Sequence, residues 1–193
     1  MGHRFQSKGF TIVELLIVVV VIAILAAITI VSYRGITKSA YNTQVLGGTK
    51  SYYEAILAYK AMNGTYPQTQ PEVNGQQIAM TCLGQGYKDQ QCGQVTGVTV
   101  YEDSLFNSQM NAFLKSSTGP VANVLLPVPG ESYVGAVYGI DSTAASSTGY
   151  ARVIEYALHG QNANCGIAGA WAYSSSSTTT ACEIVFEEVV FDT

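Results

Sequence analysis

Lys8-Gly9-Phe10-Thr11-Ile12-Val13-Glu14, followed by the apolar run Leu15 to Val31, decides how the rest of this chain is read. The run holds no charged residue. With Ile12 and Val13 it makes about 20 mostly apolar residues, the length an α-helix needs to cross a bilayer's hydrocarbon core. One carboxylate, Glu14, stands near its start. A charge inside a membrane helix costs roughly 2.5–3.5 kcal/mol at the centre and less near an end, so Glu14 is a candidate functional residue by default. The basic residues ahead of the run give the outline of a signal peptide. The run is too long for an ordinary signal core, however. Ala23, Ala26 and Ala27 also lie inside it rather than forming a cleavage signal after it.

The stretch Gly9-Phe10-Thr11-Ile12-Val13-Glu14-Leu15-Leu16-Ile17-Val18 resembles the start of a type IV pilin precursor. That resemblance implies that a prepilin peptidase cuts after Gly9. It implies that the new amino terminus, Phe10, is N-methylated, and that the apolar segment becomes the core helix of a filament with Glu14 as an assembly residue. The signature covers about the first 30 residues. Further on, Asn63-Gly64-Thr65-Tyr66-Pro67 is similar to the helix ends that many pilins and pseudopilins carry. Val31 stands where many members have a helix-breaking proline.

At 193 residues the natural reading is one domain plus a long helix. Charged residues make up 11% of the chain, low for a soluble domain. Without Arg4 and Lys8 of the leader, 7 basic residues face 13 acidic ones, a net −6. The distribution is uneven. Residues 32–62 carry Arg34, Lys38, Lys50 and Lys60 against Glu54, or +3, whereas residues 63–193 carry 3 basic against 11 acidic, or −8. An acidic head does not suit non-specific DNA binding, which rests on Lys and Arg contacts to phosphate.

The expected fold is therefore α+β. A long N-terminal helix, half membrane or filament core and half amphipathic, packs on a C-terminal antiparallel β-sheet head, the pilin fold that the resemblance implies. Residues 1–9 read as a leader removed on maturation, 10–62 as the helix with 12–31 as the span, and 63–193 as a β-rich head. Arg4 and Lys8 hold their side of the span in the cytoplasm, which places the head outside. Tyr52, Ile56 and Tyr59 fall at i, i+4, i+7 and predict one apolar stripe. Gly47-Gly48 predicts a weak point or bend. Gly64 and Pro67 end the helix near Met62. In the head, Gln77–Leu83 and Val95–Tyr101 read as strands separated by a Gly-rich loop. Asp103–Lys115 reads as a short helix capped by Asp103. Tyr133–Ile140 and Ala151–Leu158 read as an antiparallel pair, Glu183–Phe191 as a last strand with its Glu187-Glu188 pair at an exposed edge, and Ser174–Thr180 as a polar loop.

Four cysteines, Cys82, Cys92, Cys165 and Cys182, all fall in the exported head, where disulfides persist. Three connectivities are open to them. Cys82–Cys92 and Cys165–Cys182 are favoured because each pair brackets one loop between candidate strands. The second pair resembles the C-terminal disulfide loop of many type IV pilins. A zinc site is the rival, weakened by the lack of any C-x-x-C and by His159 being the only histidine beyond the leader. No phosphate-binding Gly-x-x-x-x-Gly-Lys loop, Gly-x-Ser-x-Gly elbow or His-Glu-x-x-His occurs, so no catalytic residue, cofactor or metal is expected.

These readings converge on a non-enzymatic structural subunit of a type IV pilus that self-assembles through its apolar helix, serving adhesion, twitching motility or DNA uptake. The alternatives are a type II secretion pseudopilin or a minor pilin. From a different class come a DNA-binding or adhesive tip protein anchored by the helix, and a membrane-anchored enzyme. The implied partners are further copies of the chain, a prepilin peptidase, and an inner-membrane assembly platform with a separate motor ATPase. The precursor is expected in the cytoplasmic membrane as a single-pass protein, and the assembled form as an extracellular pilus on the cell surface.

Overall fold

A computed structural model describes residues 11–70, 72–73, 76–77, 80–95, 97–114, 121–122, 125–128, 131–141 and 151–188. Helix α1, Ile12–Asn63, is continuous through Val31 and through Gly47-Gly48. The described residues fall into two compact units, one through Ser39 and one from Ala40 onward. In the first unit every described side chain of the helix is exposed, and the apolar ones run from Ile12 to Ile36. By length and composition α1 is the one helix among the described residues able to cross a membrane.

The second unit begins where α1 becomes amphipathic. Tyr41, Val45, Thr49, Tyr52 and Ile56 are buried, at the i, i+4, i+8, i+11, i+15 spacing that keeps one helix face against a core. The strands are β1 Glu72–Val73, β2 Gln76–Gln77, β3 Met80–Cys82, β4 Gln91–Val95, β5 Val98–Tyr101, β6 Leu125–Val128, β7 Glu131–Val134, β8 Ala136–Asp141, β9 Ala151–His159, β10 Trp171–Ser175 and β11 Thr179–Glu188. A second helix, α2, spans Ser104–Met110. β1 and β2 form a small ribbon, and the other nine strands form one sheet in the order β10-β11-β9-β8-β3-β5-β4-β7-β6. All pairs in that sheet are antiparallel except β3 with β5. The sheet curls, because the Thr179 hydroxyl near one end donates to the Pro127 carbonyl of β6, the strand at the other.

The α+β architecture is the one expected, with several differences in detail. The stretch Tyr133–Ile140 is two strands rather than one. Gly135, at φ 82, turns the chain so that β7 joins β4 and β6 while β8 joins β3 and β9. The polar stretch Ser174–Thr180 is a tight hairpin rather than a loose loop. Ser176 Oγ accepts from the Thr178 and Thr179 amides at 3.2 and 3.1 Å, and the Ser176 amide donates to the Thr179 carbonyl at 2.8 Å. β11 is not an edge strand, since β10 covers it as far as Glu183. Glu187 lies beyond that cover and pairs with Lys60 at 3.4 Å. Residues 189–193 lie outside the described residues.

Tyrosines supply much of the packing between helix and sheet. Tyr52, Phe106 and Tyr138 form a stack with centroid spacings of 6.3 and 4.9 Å. Tyr53 and Tyr66 flank Phe186 at 5.4 and 5.5 Å. Asn42 makes a two-point contact with the His159 backbone, donating to its carbonyl at 2.9 Å and accepting its amide at 2.8 Å. α2 begins as expected, with the Asp103 carboxylate accepting the Phe106 amide at 2.9 Å. Burial pushes the phenols of Tyr41, Tyr52 and Tyr138 up to about 12, and raises those of Tyr87 and Tyr156. The neutral phenol is the form the folded head holds. Its folded value lies above the unfolded value of about 10, so the stabilisation is complete below about pH 10 and is lost as pH rises toward 12. A base titration of the full chain in detergent is expected to release part of its tyrosinate absorbance only as the β-sheet circular dichroism disappears. Complete tyrosinate formation with the dichroism intact would contradict this packing.

Gly48 is a close-approach site rather than a bend. A Cβ added there would lie 2.8 Å from a Val121 methyl, whereas one added at Gly47 would meet nothing within 4 Å. Replacing Gly47 by alanine should stabilise by up to about 1 kcal/mol through helix propensity. Replacing Gly48 by alanine gains the same term but forces overpacking of about 1–3 kcal/mol. Urea unfolding of the two variants is expected to move in opposite directions. A parallel shift would remove Gly48 from the interface.

Candidate assembly site

Thr11 precedes the first residue of α1 and Glu14 is the third residue inside it. The first amides of any α-helix lack intrahelical acceptors and need another partner. Here the Thr11 hydroxyl accepts the Glu14 amide at 3.2 Å. In return, Glu14 Oε2 accepts the Thr11 amide at 2.9 Å and the Thr11 hydroxyl at 3.0 Å. This reciprocal arrangement is a capping box, built from Thr-x-x-Glu at the N-cap and third helical position. The carboxylate also stands at the positive end of the helix dipole, where an anion is favoured. Glu14 therefore has a local hydrogen-bonding role that its reading as a lone charge in an apolar run passes over. The signal, Thr11 three residues ahead of Glu14, is present in the sequence. Gly9 and Phe10 lie outside the described residues.

From Ile12 to Ile30 the helix offers Val, Ile, Leu and Ala, with Glu14 and Thr29 as the exceptions. The Thr29 hydroxyl turns inward to donate to the Leu25 carbonyl at 2.6 Å, which removes its polarity from the helix surface. This unit thus offers an apolar surface, with one satisfied polar feature at the start of the helix.

In the head, Cys82 is joined to Cys92 and Cys165 to Cys182. All four cysteines are engaged this way, which leaves no thiolate for a zinc ion. The loop closed by Cys165–Cys182 is further tied inward. The Tyr156 hydroxyl donates to the Cys165 carbonyl at 2.6 Å, and the Thr180 hydroxyl donates to the Gly160 carbonyl at 2.7 Å while accepting the Ala163 amide at 2.8 Å. Among the described residues no group of three or more His, Cys, Asp or Glu side chains is placed to hold a metal ion.

Comparison with known proteins adds to this geometry. Residues 4–30 match the prokaryotic N-terminal methylation motif. Over 74 residues the chain is 39% identical to fimbrial protein EcpB of Eikenella corrodens, covering 37% of this chain and 44% of that protein. Over 68 residues it is 37% identical to type II secretion system core protein G of Pseudomonas aeruginosa, covering 35% and 48% respectively. Over 65 residues it is 31% identical to type IV major pilin protein PilE1 of Neisseria gonorrhoeae, covering 34% and 30%. The chain thus spans less than half the length of the curated relatives it matches. No solved structure matches it. By its methylation motif and these relatives the chain is type IV pilin-like.

The capping box carries its own expectation. Removing a Thr cap costs about 1 kcal/mol, or roughly a fivefold faster opening of the first turn. Replacing Thr11 by valine should speed amide hydrogen exchange at the start of α1 in detergent, while Thr11→Ser should preserve protection. Equal protection in both variants would show that the box contributes nothing to the helix start.

Proposed function

We propose that this chain is a structural subunit of a type IV pilus or a closely related filament, and that its activity is self-assembly. The observation that carries this reading is the first unit itself. Its apolar side chains are exposed around the helix, with Ile12 at 84% and Ile30 at 56%. In water each such side chain left uncovered forgoes roughly 1.5–3 kcal/mol. A bilayer covers the helix in the precursor, and neighbouring copies of the same helix cover it in a filament. Contacts of this head-to-tail kind do not close on themselves and so generate an open fibre.

Maturation fits the same picture. A prepilin peptidase cuts after Gly9 on the cytoplasmic side, where Arg4 and Lys8 hold the leader, and Phe10 is methylated. The new amine then lies one helical turn from Glu14. An unpaired charge moved into the filament interior is expensive. The capping box satisfies part of the Glu14 carboxylate, and the Phe10 amine of the same or a neighbouring copy supplies the opposite charge and fixes axial register. Energy for extrusion comes from a separate motor ATPase at an inner-membrane platform, since the sequence holds no nucleotide-binding motif.

The type II secretion relative at 37% identity supports a second reading within the same class, a pseudopilin of a secretion machine. Abundance separates the two, because a major pilin dominates sheared surface material. Intact-mass analysis of such filaments is expected to give a subunit beginning at methylated Phe10. A strain whose only copy carries Glu14→Ala is expected to insert the precursor normally and to assemble poorly. A mature chain beginning beyond Ala27 would end the pilin reading, and normal filament numbers from the Glu14 variant would remove Glu14 from assembly.

A further inference from the structure

Arg34 and Lys38 follow the apolar run directly and stand one turn apart on α1, at i and i+4. Both are exposed. The ion pairs among the described residues are Lys50 with Glu54 and Lys60 with Glu187, so these two cations have no carboxylate partner there. Two like charges one turn apart also destabilise a helix slightly unless something answers them. Glu14 and Arg34 are 20 residues apart, or about 30 Å along a helix, which is the thickness of a bilayer's hydrocarbon core. In the precursor the pair therefore emerges at the outer headgroup level, where lipid phosphates answer it. A filament offers no phosphates, so on leaving the bilayer the two cations need a different set of anions.

We propose that Arg34 and Lys38 form a docking site for the acidic head of a second copy of this chain. This inference rests on the filament reading above. The charge balance favours that occupant, since residues 63–193 carry 11 acidic against 3 basic residues. Opposite charges placed this way steer the incoming subunit and fix its register, and like charges across a contact are strongly rejected. The site also exchanges one anionic partner for another, so that loss of the headgroup contacts on extraction is offset by contacts formed on assembly. The apolar surface supplies cohesion without direction, and the basic pair supplies direction.

The test uses the full chain in cells that assemble it. Filaments grown from a mixture of ¹⁴N- and ¹⁵N-labelled subunits are treated with a carbodiimide, which joins a lysine amine only to a carboxylate it touches. Mass spectrometry is expected to find mixed-isotope peptides linking Lys38 to an Asp or Glu within residues 63–193. The double variant R34E/K38E is expected to insert and to be cut normally, yet to yield at least about tenfold fewer filaments, and R34Q/K38Q to fall between. Wild-type filaments without that cross-link, or normal yields from R34E/K38E, would overturn the inference while leaving the filament reading intact. A variant that instead drops out of the membrane fraction before assembly would assign the pair to lipid headgroups and overturn it too. A wild-type chain that forms no filaments and no mixed-isotope multimers would overturn the filament reading, and this inference with it.

Discussion

An apolar helix surface that no described residue of its own chain covers is the constraint on which this protein turns. From Ile12 to Ile36 the described apolar side chains of α1 are exposed, although the same helix is buried along one stripe from Tyr41 to Ile56. Few soluble chains carry so long an uncovered apolar segment, because water penalises each side chain by more than a kcal/mol. The segment is therefore committed to an environment supplied from outside, either lipid or other helices. The short capping box at Thr11 and Glu14 closes the end of that segment and satisfies its first amides without adding bulk.

The head is built to hold the other half of the helix firmly. A stack of Tyr52, Phe106 and Tyr138, the Asn42 contact to the His159 backbone and the close approach of Val121 to Gly48 fix α1 along several turns. Two disulfides close loops in the sheet, and such closure stabilises by limiting the unfolded chain.

Legibility in the sequence followed the regularity of the local pattern first and the range of the interaction second. The apolar run, the glycine–phenylalanine junction and the Asp103 cap are local patterns and were plain. The capping box was equally local, yet a reading that weighs Glu14 only as a charge passes over Thr11. β4, β6 and β10 were not legible as strands. Gln91–Val95 has a glycine at its centre and no clean alternation, Leu125–Val128 contains Pro127, and Trp171–Ser175 runs into serine-rich sequence. Each becomes a strand by pairing in a hairpin with the strand that follows it, a partnership that its own irregular pattern does not announce. The parallel pairing of β3 with β5 and the division of the sheet at Gly135, which sends β7 to β4 and β8 to β3, depend on register between strands that are not neighbours in sequence. Gly47 and Gly48 look alike in sequence, and only the position of Val121 tells them apart.

The central claim is that copies of α1 replace lipid as the cover for the apolar segment. An electron cryo-microscopy reconstruction of surface filaments from cells producing this chain tests it most directly. The account predicts a lipid-free axial core in which residues 12–30 of each copy pack against the same residues of its neighbours, with the disulfide-bonded heads outside. Filaments whose core is made by another protein, or a chain found only as single membrane-spanning copies with no filament density, would contradict it.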